Sequence, residues 1–412
     1  MKDLNKKAKA YALKNALAHD GKAQQGSVIS SLFNEGLEKS EIGKYAREIK
    51  KIVDDVNALS IEEQEKEIEK LKDEISERKS REGLPELPNV PKDGVIMRFA
   101  PAASGPMHLG HAITGMPNSL YVKKYGGKFY IRIEDTNPEK VFADCYKTFK
   151  EDSDWLFGNV AEYIIQSDRM KIYYDYAEKL IKKSSAYVCS CSTENFKKYS
   201  DEKKNCPCRN NSVKENEKRW SQMLDKKGYK EGEVVLRFKT SEKDGGMENN
   251  NPAMRDFPLA RINETKHPRQ GKKYRVWPLM NLSVSVDDIE YKMTHIIRAK
   301  EHRDNAKRQE MIYTALGVEK KFPWTFFMGR YKFTDLPLSK RKIVAAIESG
   351  EFSGWNDERL PTISVLRKKG YKPEAFAKFA EHRGLTEVDK VIESKEIFRL
   401  LDEFNKGSNF PR

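Results

Sequence analysis

The 412-residue chain contains no uninterrupted apolar run approaching the roughly 20 residues that a bilayer-spanning helix needs, which excludes functions that depend on such a helix. Its first residues, MKDLNKKAKAYALKNALAHDGKAQ, mix lysines with polar and small side chains. They lack the apolar core and cleavage site of a secretory signal, so a cytoplasmic location is expected. Cysteine is scarce and odd in number, at five, which argues against a disulfide framework and for a reducing compartment. Histidine is nearly as sparse, at seven residues. No Ser-His-Asp or Cys-His arrangement suggests a covalent nucleophile.

Positive charge is abundant. Lysine and arginine number 77 against 63 aspartates and glutamates, a formal net charge of +14. Clustered cations gain free energy by releasing counterions from phosphates, so the balance points to a polyanionic partner, with nucleic acid first among them.

Composition divides the chain. Residues 1–93 read as a helical domain followed by a stiff linker. Ser60 and Glu63 have capping-box spacing at the head of SIEEQEKEIEKLKDEISERK, whose Ile61, Ile68, Leu71 and Ile75 recur at helical intervals. The linker is EGLPELPNVPKDG, where Pro85, Pro88 and Pro91 stop any helix. In residues 94–168, VIMRFA reads as a buried strand, HAITGMPNSLYVKKYG as a helix and KFYIRIED as a second strand. Strand, turn, helix and strand make the unit of a doubly wound parallel sheet, so an α/β fold is expected. Residues 169–275, rich in lysine and asparagine, read as an insertion with its own small fold. Residues 276–330 return to the alternating pattern and complete the sheet. Residues 331–412 read as mostly helical.

Two of the seven histidines stand three apart in RFAPAASGPMHLGHA, where the first strand turns into the first helix. There the helix N-terminus favours anions, and His108 and His111 can hydrogen-bond phosphate oxygens or, if protonated, pair with them. Gly105 and Gly110 let a flat ligand approach the backbone. About 230 residues later LSKRK places Ser339, Lys340 and Lys342 on a segment suited to grip the same polyphosphate. Each motif alone is commonplace, as a pair of surface histidines or a solvated basic run. Four cysteines form Cys189-x-Cys191 and, after fourteen residues, Cys206-x-Cys208, a set able to close a tetrahedral zinc site. Cys145, on a predicted helix, reads as a packing residue.

The pairing of H-x-G-H with S-K-R-K resembles the signature of class I aminoacyl-tRNA synthetases. The order of GGKFYIRIEDTNPEK, VDDIEYKMTHIIRAKEHRDN, LSKRK and GWNDERLPTISVLRKKGY is similar to the glutamyl and glutaminyl subgroup. ALKNALAHDGKAQQGSVISSLF is similar to the N-terminal region of its archaeal-type glutamyl members, and the likeness runs along essentially the whole chain.

The resemblance implies a Rossmann-like class I catalytic domain, an inserted acceptor-binding domain and helical domains at both ends. It implies ATP- and Mg²⁺-dependent activation of glutamate and its transfer to tRNA(Glu), with no membrane partner. His108, His111, Lys340 and Lys342 would be catalytic, and Gly105, Gly110 and Ser339 would complete the ATP site. Arg98, Ala100, Glu134, Met280 and Arg298 would hold the amino acid. Arg98 offers a fork for a carboxylate and Glu134 suits an ammonium, unless the two simply form a salt bridge. Arg298 matches the arginine that glutamyl enzymes set against the substrate side chain, unless it pairs with Glu301, and Ala100 also matches the glutamyl pattern.

The chain departs from the family pattern in three places. Met280 stands where the family has a tyrosine hydroxyl, Ala102 and Ala103 replace more usual polar and proline residues, and EFNKGSNFPR ends the chain where archaeal-type relatives continue into anticodon-binding β-barrels. That third departure leaves room for a shortened chain, a separate anticodon-binding chain or a paralogue acting on another acceptor. The first two leave room for a non-catalytic tRNA-binding protein.

Overall fold

The computed structural model describes residues 3–75, 83–336 and 340–407, with no account of the side chains of Asn34, Lys39 and Arg341. It divides into two compact units, residues 1–80 and 81–412. No described helix is long and apolar enough to cross a membrane.

The first unit consists of α1 (Leu4–Leu17), α2 (Gln25–Asn34), α3 (Ile42–Asn57) and α4 (Ile61–Glu69). Ile49, Val53 and Val56 fall on one face of α3 and are buried with Leu13, Val28 and Leu32. The predicted capping box is present: Glu63 N–H donates to Ser60 Oγ at 3.2 Å and Ser60 N–H to Glu63 Oε2 at 2.8 Å. The helix it opens is shorter than its periodicity suggests. It stops at Glu69, Ile61 is 51% exposed, and residues 76–79 of the predicted span lie outside the described residues. Buried Gln64, rather than Ile61, docks α4, donating Nε2 hydrogen bonds to the carbonyls of Gly21 and Val56.

In the second unit the proline-rich segment is not a free linker. Tyr121 donates to Pro85 O at 2.6 Å, Leu87 N–H to Tyr125 Oη, and His295 Nε2 reaches Pro88 O at 2.8 Å. Prolines restrict the segment in advance and leave its carbonyls free for side-chain donors, so ordering it costs little entropy.

Strands β1 (Val95–Phe99), β2 (Gly127–Ile133) and β3 (Val160–Ile165) pair in parallel in that order, joined by α5 (Leu109–Tyr125) and α6 (Cys145–Phe157). The β1–β2 approach is tight at its start. A Cβ at Gly127 would lie 2.1 Å from the Val95 carbonyl, so no larger residue fits there.

After α7 (Met170–Lys182) the chain enters an antiparallel sheet of β4 (Ala186–Cys189), β5 (Val235–Phe238), β6 (Pro258–Ile262) and β7 (Val276–Pro278), with α8 (Thr193–Asp201) and α9 (Val213–Leu224) between β4 and β5. The larger core of this inserted region is shared with later elements, and a second, smaller cluster gathers Tyr187, Phe196 and Met247 around Cys189, Cys206 and Cys208. Tyr173, Leu180 and Trp277 are buried together with Leu282, Val286 and Ile312 from the elements that follow. Residues 276–278 belong to the antiparallel sheet, so the return to the parallel one begins after Pro278.

The remaining strands are parallel β8 (His295–Ala299) and β9 (Trp324–Met328), connected by α11 (Arg303–Leu316) and preceded by α10 (Met280–Glu290). Thr294 N–H donates to Ile96 O at 2.9 Å and Ile96 N–H to Thr294 Oγ1 at 2.9 Å, which sets β8 beside β1. The parallel order is therefore β3-β2-β1-β8-β9. Its direction reverses between β1 and β8, and in such sheets the crevice beyond the strand ends at the reversal is where ligands bind.

The last segment adds β10 (Tyr331–Phe333), α12 (Lys340–Glu348), α13 (Ile363–Lys368), α14 (Pro373–Arg383), β11 (Lys390–Ile392) and α15 (Ser394–Asn405). Phe376, Phe379 and Leu401 from these helices join Met97, Leu109 and Phe129 in the core beneath the site.

Candidate active site

A cavity of about 660 Å³ opens at the reversal point. Arg98, Ala100, His108, Gly110, His111, Glu134, Met280, Arg298 and Lys342 all line it. Gly105 does not reach that wall. It lies buried beneath Trp355, and its carbonyl, with that of Ala102, accepts hydrogen bonds from Lys340 Nζ at 3.2 and 3.0 Å. Ser339 lies outside the described residues.

His108 is the N-cap of α5. Its Nδ1 accepts from Gly110 N–H at 3.2 Å, and His111 Nδ1 accepts from His108 N–H at 3.2 Å, a capping box built from two imidazoles. The rings stack with centroids 3.9 Å apart. Because both Nδ1 atoms accept, each neutral ring carries its proton on Nε2 and presents that N–H as a donor. Burial lowers His108 to about 3, with Lys340 adding to the effect, and holds His111 well below the ordinary value. Burial thus holds both rings neutral, each with its Nε2–H as a donor. Burial likewise lowers Lys340 to about 8.

Around Arg98 and Glu134 the cavity is flanked by a network of opposite charges. Arg98 donates through Nε and Nη2 to the two oxygens of Asp288, both at 3.1 Å. Fully buried Arg132 donates to Asp288 Oδ1 and, at 3.1 Å, to Glu134 Oε1. The Arg98–Glu134 salt bridge that sequence alone leaves open is thus replaced by three pairs linked in the order Arg98, Asp288, Arg132, Glu134. Burial pushes the Asp288 carboxyl up, but the two guanidiniums outweigh it and hold the group at about 2. Asp287 is shared by Gln166, Arg169 and Tyr173.

Arg298 differs from its neighbours. It is 7% exposed and donates Nη1 to Gln309 Oε1 at 2.9 Å, while its buried Nε has no hydrogen-bond partner. It makes no ion pair among the described residues; Glu301 pairs instead with Arg330. Burial and the neighbouring Arg98 lower the guanidinium to about 9. Four guanidiniums, from Arg98, Arg132, Arg169 and Arg298, thus face three carboxylates, from Glu134, Asp287 and Asp288. One positive charge is left over at Arg298.

Met280 opens α10 and lines this cavity together with an adjoining one of about 230 Å³, which Thr136, Asn137, Asn263 and Trp277 also border. Its thioether donates no hydrogen bond. Ala102 borders both cavities and Ala103 is buried.

Sequence reasoning passes over Asp288, Arg132, Gln309 and Trp355. A signal was present for the first two, as an acidic pair inside the apolar run VSVDDIE and an arginine inside the strand YIRI. Buried charge of this kind needs a partner.

In the inserted region the sulfurs of Cys189, Cys191, Cys206 and Cys208 all lie within 4.8 Å of one another, and the Cys189–Cys206 and Cys191–Cys208 pairs are 3.9 Å apart. Four thiolates at the usual zinc–sulfur distance stand about 3.8 Å apart at the corners of a tetrahedron. Hydrogen bonds from Cys189 and Tyr187 lower the Cys206 thiol to about 5 despite its burial. The donor set fits zinc. Cys145 is fully buried in α6 against the central core, where burial pushes its thiol up to about 12.

Residues 94–403 match the family model described as tRNA synthetases class I (E and Q), catalytic domain. The chain is 41% identical to the glutamate–tRNA ligase of Methanobrevibacter smithii over 98% of its own length and 71% of that protein's. It is 40% identical to the glutamate–tRNA ligase of Methanocaldococcus jannaschii, over 97% and 70%. With the Pyrococcus furiosus glutamate–tRNA ligase it shares 41% identity over 95% and 68%. Among solved structures, a glutamate tRNA ligase from Elizabethkingia meningosepticum in complex with its amino acid shares the fold at a TM-score of 0.51 and 18% identity, over 74% of this chain and 68% of that one. The parallel sheet, the histidine-capped helix at its reversal point and the extent of these matches converge: the chain belongs to the glutamyl and glutaminyl group of class I tRNA synthetases.

Proposed function

We propose that this chain is a glutamate–tRNA ligase, an enzyme that activates glutamate with ATP and esterifies it to tRNA. The observation that carries the choice of amino acid is the surplus cation at Arg298, buried beside an otherwise neutralised network. Glutamate carries one net negative charge and glutamine none, so glutamate alone balances the site.

Arg298 takes the side-chain carboxylate in this reading. Arg98 binds the α-carboxylate region and Glu134 the α-ammonium, both held in place by Asp288 and Arg132. The Nε2–H groups of His108 and His111 donate to phosphate oxygens, and Lys340 and Lys342 meet the same phosphates from the second motif. Gly110 keeps the wall beneath the nucleotide low. Gly105 supplies the carbonyl that seats Lys340, and Ser339, which precedes Lys340 in sequence, is assigned to the ATP site by the motif. The glutamate α-carboxylate attacks the α-phosphorus and pyrophosphate leaves; the terminal ribose hydroxyl of tRNA then attacks the adenylate carbonyl, releasing AMP. Mg²⁺, when bound with ATP, neutralises charge on the departing pyrophosphate.

The basic inserted region holds the acceptor end of tRNA(Glu) through its phosphates. Zinc at the four cysteines ties β4 to the loop that carries Cys206 and Cys208.

The test is glutamate-dependent exchange of pyrophosphate into ATP, run with glutamate, glutamine and aspartate, with and without tRNA. Exchange confined to glutamate supports the ligase. Tight tRNA binding without exchange for any amino acid leaves a binding protein in its place. Charging of intact tRNA against acceptor minihelices tells a ligase for full tRNA from a paralogue with another acceptor or one that relies on a separate anticodon-binding chain.

A further inference from the structure

In the buried network beside the amino-acid cavity every arginine except Arg298 is held by a carboxylate; Arg383, which also lines the cavity, donates to the Gly329 carbonyl. Arg98 and Arg132 share Asp288, Arg132 also reaches Glu134, and Arg169 holds Asp287. Arg298 is held by the neutral amide of Gln309, which is 2% exposed on α11. Gln309 is itself fixed, its Nε2 lying 3.5 Å from Asn281 Oδ1 on α10. An amide oxygen orients a guanidinium through a hydrogen bond but cancels none of its charge. A carboxylate in the same place would orient it equally well and neutralise it.

We propose that Gln309 is a specificity-determining positioning residue: by holding Arg298 through a neutral acceptor it keeps that guanidinium's charge available and so selects glutamate over glutamine. The inference rests on the reading of the chain as a glutamate-activating enzyme. Gln309 acts through Arg298, and its contribution is what it withholds, a negative charge. A site selects as much by the groups it leaves unpaired as by those it pairs.

The experiment compares wild type, Gln309→Glu and Gln309→Met in tRNA-dependent pyrophosphate exchange, measuring kcat and KM for glutamate and for glutamine. Glutamate pairs with Arg298 and neutralises it; methionine matches the length, keeps the surplus charge and removes the tether. In Gln309→Glu the KM for glutamate rises about 100-fold, as a buried charge pair lost to the substrate would require, while the KM for glutamine holds or falls. In Gln309→Met the KM for glutamate rises about tenfold, the size of one hydrogen bond to a charged group, and glutamate is still preferred. Each protein is first compared by thermal melting and ATP binding, and the methionine variant carries the test alone if the glutamate variant does not fold.

Unchanged glutamate KM in Gln309→Glu overturns the proposal, as does an equal rise for both amino acids in either folded variant. Wild type that fails to activate glutamate at all overturns the ligase reading instead, and that control is run first.

Discussion

At the scale of single residues, the two histidines cap the helix and face the cavity through different atoms. In His108 Nδ1 accepts from Gly110 N–H, and Nε2–H remains for a ligand. Asparagine can reproduce the cap but not the reach. His108→Asn is therefore expected to leave the melting temperature nearly unchanged and to lower kcat about 100-fold, the cost of one donor to developing charge, as read by pyrophosphate exchange. Protonation works against the same arrangement. A group whose folded value is depressed from 6.5 to about 3 lets the unfolded chain bind more protons as the pH falls between those limits. Stability supplied by the neutral imidazole is complete above pH 6.5 and is lost progressively toward pH 3. Urea titrations across that range should show wild type losing more stability than the asparagine variant. Asp288 poses a harsher test, since removing its charge leaves Arg98 and Arg132 buried against too few carboxylates. Asp288→Asn is expected to cost about 3–5 kcal/mol, measured as a shift of the urea midpoint at constant slope.

Lys340, at the first position of α12, joins the second motif to the first. It donates to Ala102 O and Gly105 O, while Trp355 closes over Gly105 so tightly that an added Cβ would meet the indole at 3.0 Å. The following segment is stitched to the same turn: Leu109 N–H donates to Pro361 O and Ile363 N–H to Met107 O, both at 2.9 Å. Lys340, held at about 8 by burial, loses its charge as the pH rises past that value. Exchange activity should fall above pH 8 in wild type, and Lys340→Met should be slow throughout and lack that limb; a pH profile unchanged by the substitution would remove Lys340 from the phosphate site. The elements of this region differ in how far sequence reveals them. β1, α5 and β2 are legible because a buried strand, a cap and a second buried strand follow within forty residues, each with its own periodicity. The overrun of α4 arises because Ile61 fits the helical period yet lies on the exposed side. Gln309 and Trp355 could not be read at all, and Asp288 shows only as a charge in an apolar run without its partner: their roles come from contacts with residues 11, 250 and 190 positions away, which no local pattern encodes.

At the scale of the whole molecule, the order of the parallel sheet places His108, Gly110, His111 and Lys342 at one crevice, so the catalytic unit should be self-contained. The four-cysteine cluster lies outside that crevice, among residues of a separate small core. Zinc content should therefore be one ion per chain, and Cys206→Ser should abolish it and expose the inserted region to hydrogen exchange while leaving the parallel sheet protected. Residues 1–80 form their own compact unit, in which Leu13, Leu32 and Ile49 are wholly buried and Ser60 and Glu63 close a helix end. A core of that size supplies only about 3–5 kcal/mol, so the isolated unit should be helical by circular dichroism at low temperature and melt well below the remainder. Residues 83–412, expressed alone, should then activate glutamate with an unchanged kcat, because they contain every side chain that lines the proposed substrate site, from Arg98 to Arg383. If tRNA binding alone weakens in that fragment, the helical unit contributes to holding the nucleic acid. If exchange is lost while the fragment remains folded, the parallel sheet does not by itself organise the site, and the first unit must be counted as part of the catalytic machinery.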